Sequence, residues 1–353
     1  MIEYKKGNLL EIEADALVNT VNTVGAMGKG IALQFKKAFP EMAKAYESAC
    51  NQKSVCIGKM HVWKNSLICP RFIINFPTKE HWRGDSKIEF ISEGLKDLIR
   101  VVRENNIRSI AIPPLGCGLG GLLWEDVQRE IHKYFESIPD IKVFLFPPQS
   151  APEPMKIINN TSPVVLTPTL ANIILIISEY FTLDYELRLI EVHKLLYFYQ
   201  IAGEPLKLRF KKEKYGPFAD NLRHVMNRIE GHYLSGIGDG TTKPFTQIKL
   251  LPNVIETVKD YLKQTGGQDI ESRERANRVL RLIHGFESPY GMELLASVHW
   301  VATDNTNCVP AKTLDEVIQQ IQAWNKQKKQ KMSPNHIETA RNRLIEEKWL
   351  EDS

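Results

Sequence analysis

The sequence has little of what would place the chain outside the cell or in a membrane. Its cysteines, five in 353 residues, are odd in number and none stands in CxxC spacing, so neither a disulfide framework nor a cysteine-held zinc is expected. The longest apolar run, around residues 170–177, falls far short of the ~20 residues that a spanning helix needs. The opening MIEYKKGNLL has no basic stretch followed by an apolar core, the pattern of a secretory signal. Charge of one sign is scarce too. The 46 Lys and Arg exceed the 42 Asp and Glu by only 4, so a polyanionic partner has to be met by a local patch. No repeat of fixed period signals a solenoid. These absences predict a cytoplasmic protein. Its length predicts two domains, because single cores rarely exceed ~250–300 residues.

Strands and helices alternate through the first 148 residues. Apolar runs at 16–20, 58–63, 72–76, 109–112 and 142–146 read as strands. Helical stripes lie between them at 30–50, 87–105 and 123–137; in the second, Ile88, Ile91, Leu95, Leu98, Ile99 and Val102 repeat at close to 3.6 residues. The pattern predicts an α/β fold, a mixed central sheet flanked by helices, with its ligand at the loops beyond the strand ends. Then comes PPQSAPEP at 147–154, proline-rich and unable to pack, which reads as a stiff linker. The chain is accordingly divided into residues 1–150, a linker at 151–160, and a mainly helical second domain at 161–353. In that domain helices are expected at 170–181, 186–200, 219–230, 254–264, 271–283, 293–300, 314–324 and 336–347.

Two glycine-rich loops carry the chemistry, VNTVNTVGAMGKGIA at 18–32 and PPLGCGLGG at 113–121, each between a strand and a helix. Glycines let backbone N–H groups approach phosphate oxygens, and a helix N-terminus behind each loop adds partial positive charge. GCGLGG satisfies GxGxxG, but it comes late in the sheet and no acidic residue ends the next strand, against a Rossmann site. GAMGKG fails the Walker pattern because Gly30 stands where a magnesium-binding hydroxyl belongs. Both loops as mere tight turns stay an open reading. Two of them together, with Asn19, Asn22 and a lone Lys79 between, favour a clamp for a nucleotide diphosphate.

GNLLEIEADALVNTVN, GAMGKGIALQFKKAFP, TKEHWRG and IPPLGCGLGGLLWEDV, in that order over roughly residues 1–148, resemble the macrodomain family of ADP-ribose-binding folds. Within it they are similar to the DarG-type antitoxins, DNA ADP-ribosyl glycohydrolases that reverse ADP-ribosylation of thymidines by a DarT-type toxin. The resemblance implies that Asn8 and Leu9 meet the adenine. It gives Thr20, Asn22, Met27, Gly28, Lys29, Gly30, Ile31 and Ala32 to the distal ribose and phosphates, with Pro114, Gly116, Cys117, Gly118, Leu119, Gly120 and Gly121 from the second loop. Lys79 would be the catalytic residue, as a cation at the leaving nitrogen or as an attacking amine. No metal or cofactor is implied. The sequence departs from the family pattern twice: Asn8 replaces the usual Asp, and Gly120 stands where relatives that cleave carboxylate esters carry an Asp.

His81, Trp82 and Arg83 follow the lysine and suit single-stranded DNA, a ring for stacking beside a cation; Trp82 as a cap on the core is the competing reading. Residues 193–233 resemble the helical domain called Panacea or SocA-like, clearest over KLLYFYQ and KYGPFADNL. That likeness implies a module that binds and silences the toxin, with Leu195, Leu196, Phe198 and Tyr199 packed inward and a turn at Tyr215, Gly216 and Pro217. The basic runs at 211–214 and 326–331 read as solvated faces. Two functions stay open: an enzyme that also neutralises a toxin, and an adaptor that only reads ADP-ribose.

Overall fold

The computed structural model describes residues 1–66, 69–181, 186–241, 243–265, 270–303 and 309–352; Cys308 lies outside them. They form two units, Met1–Ser162 with Gly238–Thr241, and Pro163–Ile237 with Thr242–Ser353. In the first, β1 (Ile2–Tyr4), β2 (Ala16–Asn22), β3 (His61–Lys64), β4 (Phe72–Lys79), β5 (Ser109–Ile112) and β6 (Lys142–Leu145) make one sheet in the order β1-β6-β5-β2-β4-β3. All neighbours run parallel except β3, which pairs antiparallel with β4. The sheet is therefore mixed, as the alternating pattern predicts.

The side-chain period of two sorts each strand between two cores. Ala16, Val18, Phe72, Ile74, Phe76, Ile110 and Ile112 face the layer of α3 (Ile88–Glu104) and α4 (Trp124–Phe135). Leu17, Val21, Ile73, Ala111 and Phe144 face the layer of α1 (Gly30–Ala38) and α2 (Pro40–Asn51). In α3, Ile91, Leu95, Leu98 and Val102 are fully buried, each stabilising by roughly 1.5–3 kcal/mol relative to an exposed position. The stripe expected as one helix over 30–50 is two. Pro40 disfavours helical backbone at Phe39, which sits at φ −130°, ψ 72°, and the second helix starts at the proline. β1 escapes the sequence pattern because only three residues pair, with β6.

The second unit has α5 (Pro168–Phe181), α6 (Leu189–Ile201), a hairpin of β7 (Phe210–Glu213) and β8 (Gly216–Ala219), α7 (Leu222–Ile229) and a short pair, β9 (Leu234–Ser235) with β10 (Lys249–Leu250). Then follow α8 (Val254–Gln264), α9 (Ile270–Ile283), α10 (Pro289–Thr303), α11 (Leu314–Trp324), α12 (Lys326–Lys331) and α13 (Pro334–Glu346). Leu195, Leu196, Phe198 and Tyr199 of α6 are all buried. The stretch at 215–217 is more than a turn: Tyr215 turns, while Gly216 and Pro217 already belong to β8.

One of the two basic runs departs from expectation. Lys211, Lys212 and Lys214 are exposed, but Lys328 is buried, its Nζ 2.5 Å from Glu293 Oε1 and 2.9 Å from Ser297 Oγ. Lys194, also buried, donates to the Pro217 carbonyl at 2.6 Å. Burial, then the neighbouring Lys328 charge, push its amine down to about 7, while Glu293 pulls the other way. A single carboxylate thus offsets the Lys328 ammonium and opposes the push that burial gives Lys194 toward its neutral form. Removing one member of a buried pair strands the other's charge. Glu293→Ala is expected to destabilise the second unit by about 3–5 kcal/mol, read as a lower denaturant midpoint in equilibrium unfolding of the full chain; an unchanged midpoint refutes the account.

Candidate functional site

The C-terminal ends of β2, β4 and β5 point to one edge of the sheet. The chain leaves β2 on one side and β5 on the other, which opens the crevice where α/β sheets take ligands. Asn22 ends β2, Lys79 ends β4, and the loop at 113–121 follows β5. The β2–β4 register runs evenly to Val21 opposite Pro77, then slips so that Asn22 faces Lys79 and Thr78 is left over. Such a bulge re-aims the side chain that follows it.

Lys79 Nζ donates to the backbone carbonyl of Leu119, joining the strand end to the second glycine loop. Burial holds its amine below the usual lysine value, and the opposing pull of Asp85 is smaller because that carboxylate is exposed. On the same segment Glu80 offers its carbonyl to Thr23, N–H at 3.3 Å and Oγ1 at 2.6 Å, which ties the first glycine loop beside the lysine. Asn22 braces that loop from within: its Oδ1 accepts from the amides of Val24 (3.0 Å) and Ala26 (3.2 Å), and its Nδ2 donates to the Ala26 carbonyl at 2.6 Å. Tyr46, on α2, donates its hydroxyl to the Asn22 carbonyl.

Asn19, expected with Asn22, goes elsewhere. Three residues earlier on a period-two strand, its side chain enters the core on the α1–α2 side and donates to Asn75 Oδ1 at 2.8 Å. Asn8 caps the short helix Leu9–Glu11, accepting from Leu10 N–H at 3.1 Å and donating to Glu11 at 3.0 Å. Leu9 is buried in that turn and Thr20 lies half-buried in β2 opposite Phe76. Met27 packs into the core, while Gly28 and Lys29 lead from the strand into α1, whose first turn holds Gly30, Ile31 and Ala32.

The second loop is built on main-chain contact. Ser86 N–H donates to the Gly120 carbonyl at 2.9 Å, and Leu122 N–H to that of Gly116 at 3.1 Å. A Cβ at Gly120 would lie 2.2 Å from the Gly116 oxygen and 2.3 Å from Ser86 Oγ, so no side chain fits there. An aspartate at this position is excluded by the same packing. Cys117 is half-buried; burial pushes its thiol up to about 11, so it is no nucleophile at neutral pH. Pro114 opens the loop, Gly118 and Gly121 line its turn, and Leu119 is 62% exposed. His81, Trp82 and Arg83 stand at the rim. Trp82 is 44% exposed, which removes the core-cap reading, and the Arg83 guanidinium sits 4.5 Å from its ring centre.

Sequence reasoning missed three contributors. Asp85, six residues after the lysine, acts on it only through charge, and Ser86 is a hydroxyl buried beneath the loop without a hydrogen-bond partner. The third is the segment Gly238–Thr241, where Asp239 offers its carbonyl to Gly30 N–H at 2.7 Å. Proximity to a motif could have flagged the first two; nothing local flags the third. Among the described residues no cluster of three or more His, Cys, Asp or Glu is placed to hold a metal ion, and no helix is long and apolar enough to cross a membrane.

The Macro domain family model matches residues 18–131. A DNA ADP-ribosyl glycohydrolase of Thermus aquaticus is 41% identical over 346 residues, 98% of this chain and 93% of its own length. A DNA ADP-ribosyl transferase-DNA ADP-ribosyl glycohydrolase fusion protein of Thermosipho africanus is 32% identical over 159 residues, 40% of this chain and 41% of its own. Among solved structures, the macrodomain of Mycobacterium tuberculosis DarG aligns with TM-score 0.42 and 55% identity over 42% of this chain and 99% of its own. With the glycine loops, the strand-end lysine and the Thermus aquaticus relative 41% identical along nearly the whole length, the chain belongs to the DNA ADP-ribosyl glycohydrolase family.

Proposed function

We propose that the first unit removes ADP-ribose from thymidine in single-stranded DNA, and that the second binds and inhibits a DarT-type ADP-ribosyltransferase toxin. The observation that carries the first part is the partly desolvated Lys79 amine held against Leu119, at the junction of the two glycine loops. The loops at 27–32 and 116–121 grip the diphosphate through their remaining backbone amides, those of Gly30, Cys117 and Gly121 being already bonded within the unit; Asn8 and Leu9 take the adenine, and the distal ribose lies beside Asn22 and Lys79. Trp82 stacks on an unpaired neighbouring base, an interaction worth ~1–3 kcal/mol, and Arg83 meets a phosphate.

Cleavage breaks the bond between the anomeric carbon and the thymine nitrogen. Positive charge gathers on the sugar, and the departing imide nitrogen gains negative charge. The Lys79 ammonium stabilises that nitrogen and gives it a proton, a contribution worth ~10²–10⁴-fold. Water supplies oxygen to the anomeric carbon, and the proton it releases restores the ammonium. With Gly120 in place of a carboxylate, the diphosphate clamped nearby orients the water.

Lys79→Ala is expected to lower release of ADP-ribose from modified single-stranded DNA by at least ~10²-fold while ADP-ribose binding, measured by calorimetry, persists. Full activity in that variant points to another catalytic group, and lack of release by the wild type leaves the adaptor reading. The required cation is lost as pH rises through a pKa below the ordinary lysine value. Turnover should therefore fall on the alkaline side earlier than ~pH 10.4, and Lys79→Arg, which stays charged, should retain partial activity without that fall. A sugar adduct trapped on Lys79 by borohydride would instead assign amine attack.

The second part rests on family membership. The fusion relative unites, by its name, a DNA ADP-ribosyl transferase with a glycohydrolase in one chain. Full-length Lys79→Ala protein, unable to hydrolyse, is expected to protect cells co-expressing the toxin and to co-purify with it. Cell death despite soluble expression of the variant would refute neutralisation by binding.

A further inference from the structure

Helix α1 opens on the first glycine loop without a side-chain cap: Lys29, at the N-cap, makes no capping hydrogen bond. A helix leaves its first N–H groups without acceptors inside the helix, and a loop that grips phosphate through such groups has to hold its backbone still while offering them. In the first unit that acceptor comes from far along the chain. Gly30 N–H, the first of α1, donates to the Asp239 carbonyl at 2.7 Å. Gly240, at φ +76°, lies flush on the loop, where an added Cβ would fall 2.9 Å from the Gly28 carbonyl oxygen and 3.2 Å from Leu33. Asp239, itself buried, shapes the segment by accepting at Oδ1 from Thr241 N–H (3.0 Å) and Thr241 Oγ1 (2.5 Å). One helix length away, the buried Lys37 Nζ donates to the Gly238 carbonyl at 2.9 Å, so the segment grips α1 at two heights.

We propose that Gly238–Thr241 is a positioning element of the ADP-ribose site, with Asp239 and Gly240 its positioning residues. The Asp239 carbonyl satisfies Gly30 N–H, and the following amides of α1 stay free for the diphosphate in a fixed orientation. The segment touches neither the reacting carbon nor Lys79. Its contribution is equal binding of ground state and transition state, which appears in KM and leaves kcat unchanged. This inference rests on the ADP-ribose reading above.

The test uses the full chain. Gly240→Ala pushes the segment off the Gly28 carbonyl and is expected to raise both the Kd for ADP-ribose and the KM for modified DNA by about tenfold, with kcat within about twofold of wild type. Asp239→Ala removes the bonds to Thr241 and should act in the same direction, by about three- to fivefold. Asp239→Asn keeps an Oδ1 acceptor and should restore the wild-type Kd. If Gly240→Ala fails to fold, the Asp239 pair decides. Unchanged Kd and KM in Gly240→Ala and Asp239→Ala, with or without a lower melting temperature, overturn the proposal. A wild-type protein that binds no ADP-ribose overturns the underlying reading instead, a result seen before any variant is made.

Discussion

The site depends on the absence of a side chain at one position. With a Cβ at Gly120 falling 2.2 Å from the Gly116 oxygen, the second loop closes on itself only as bare backbone. That closure lets Ser86 N–H hold the Gly120 carbonyl, which fixes the neighbouring Leu119 carbonyl where the Lys79 amine meets it. The same tightness leaves no room for a carboxylate there. The same packing that leaves position 120 without a side chain holds the Leu119 carbonyl against the Lys79 amine.

Placing that cation takes the sheet as well. Regular pairing of β4 with β2 would set Thr78 opposite Asn22; the bulge at Thr78 sets the lysine there instead. Two electrostatic effects then compete at the amine. Loss of water favours the neutral form and the Asp85 charge favours the cation; burial wins because Asp85 is exposed and screened by solvent. In the proposed reaction the lowered pKa makes this ammonium the better proton donor to the departing imide nitrogen.

Much of this was legible in the sequence because the signals are local. Periodicity located β5 at its observed bounds and α3 to within a residue at each end, and glycine spacing found both loops. The linear order of residues hides what pairing decides. The bulge at Thr78 depends on the partner strand, and Asn19 reads as a site residue until the pleat turns it into the core. The stripe at 30–50 kept a helical period across Pro40 because the two helices bury the same face. Asp239 and Gly240 lie more than 200 residues from the loop they touch, and a buried carbonyl has no sequence signature.

The second unit reverses the logic of the first. There the glycine loops are held by neutral backbone, while here two interior amines answer to one carboxylate, Lys328 in contact with Glu293 and Lys194 acted on by its charge. Buried ion pairs seldom add stability over apolar residues of the same volume, but they penalise every packing that separates them. Lys194 ties α6 to the Pro217 strand, and Lys328 ties α12 to α10, so the cluster sets the register of four elements. It also changes the surface. The run at 326–331 looks like four exposed lysines in sequence, but Lys328 is withdrawn into the core.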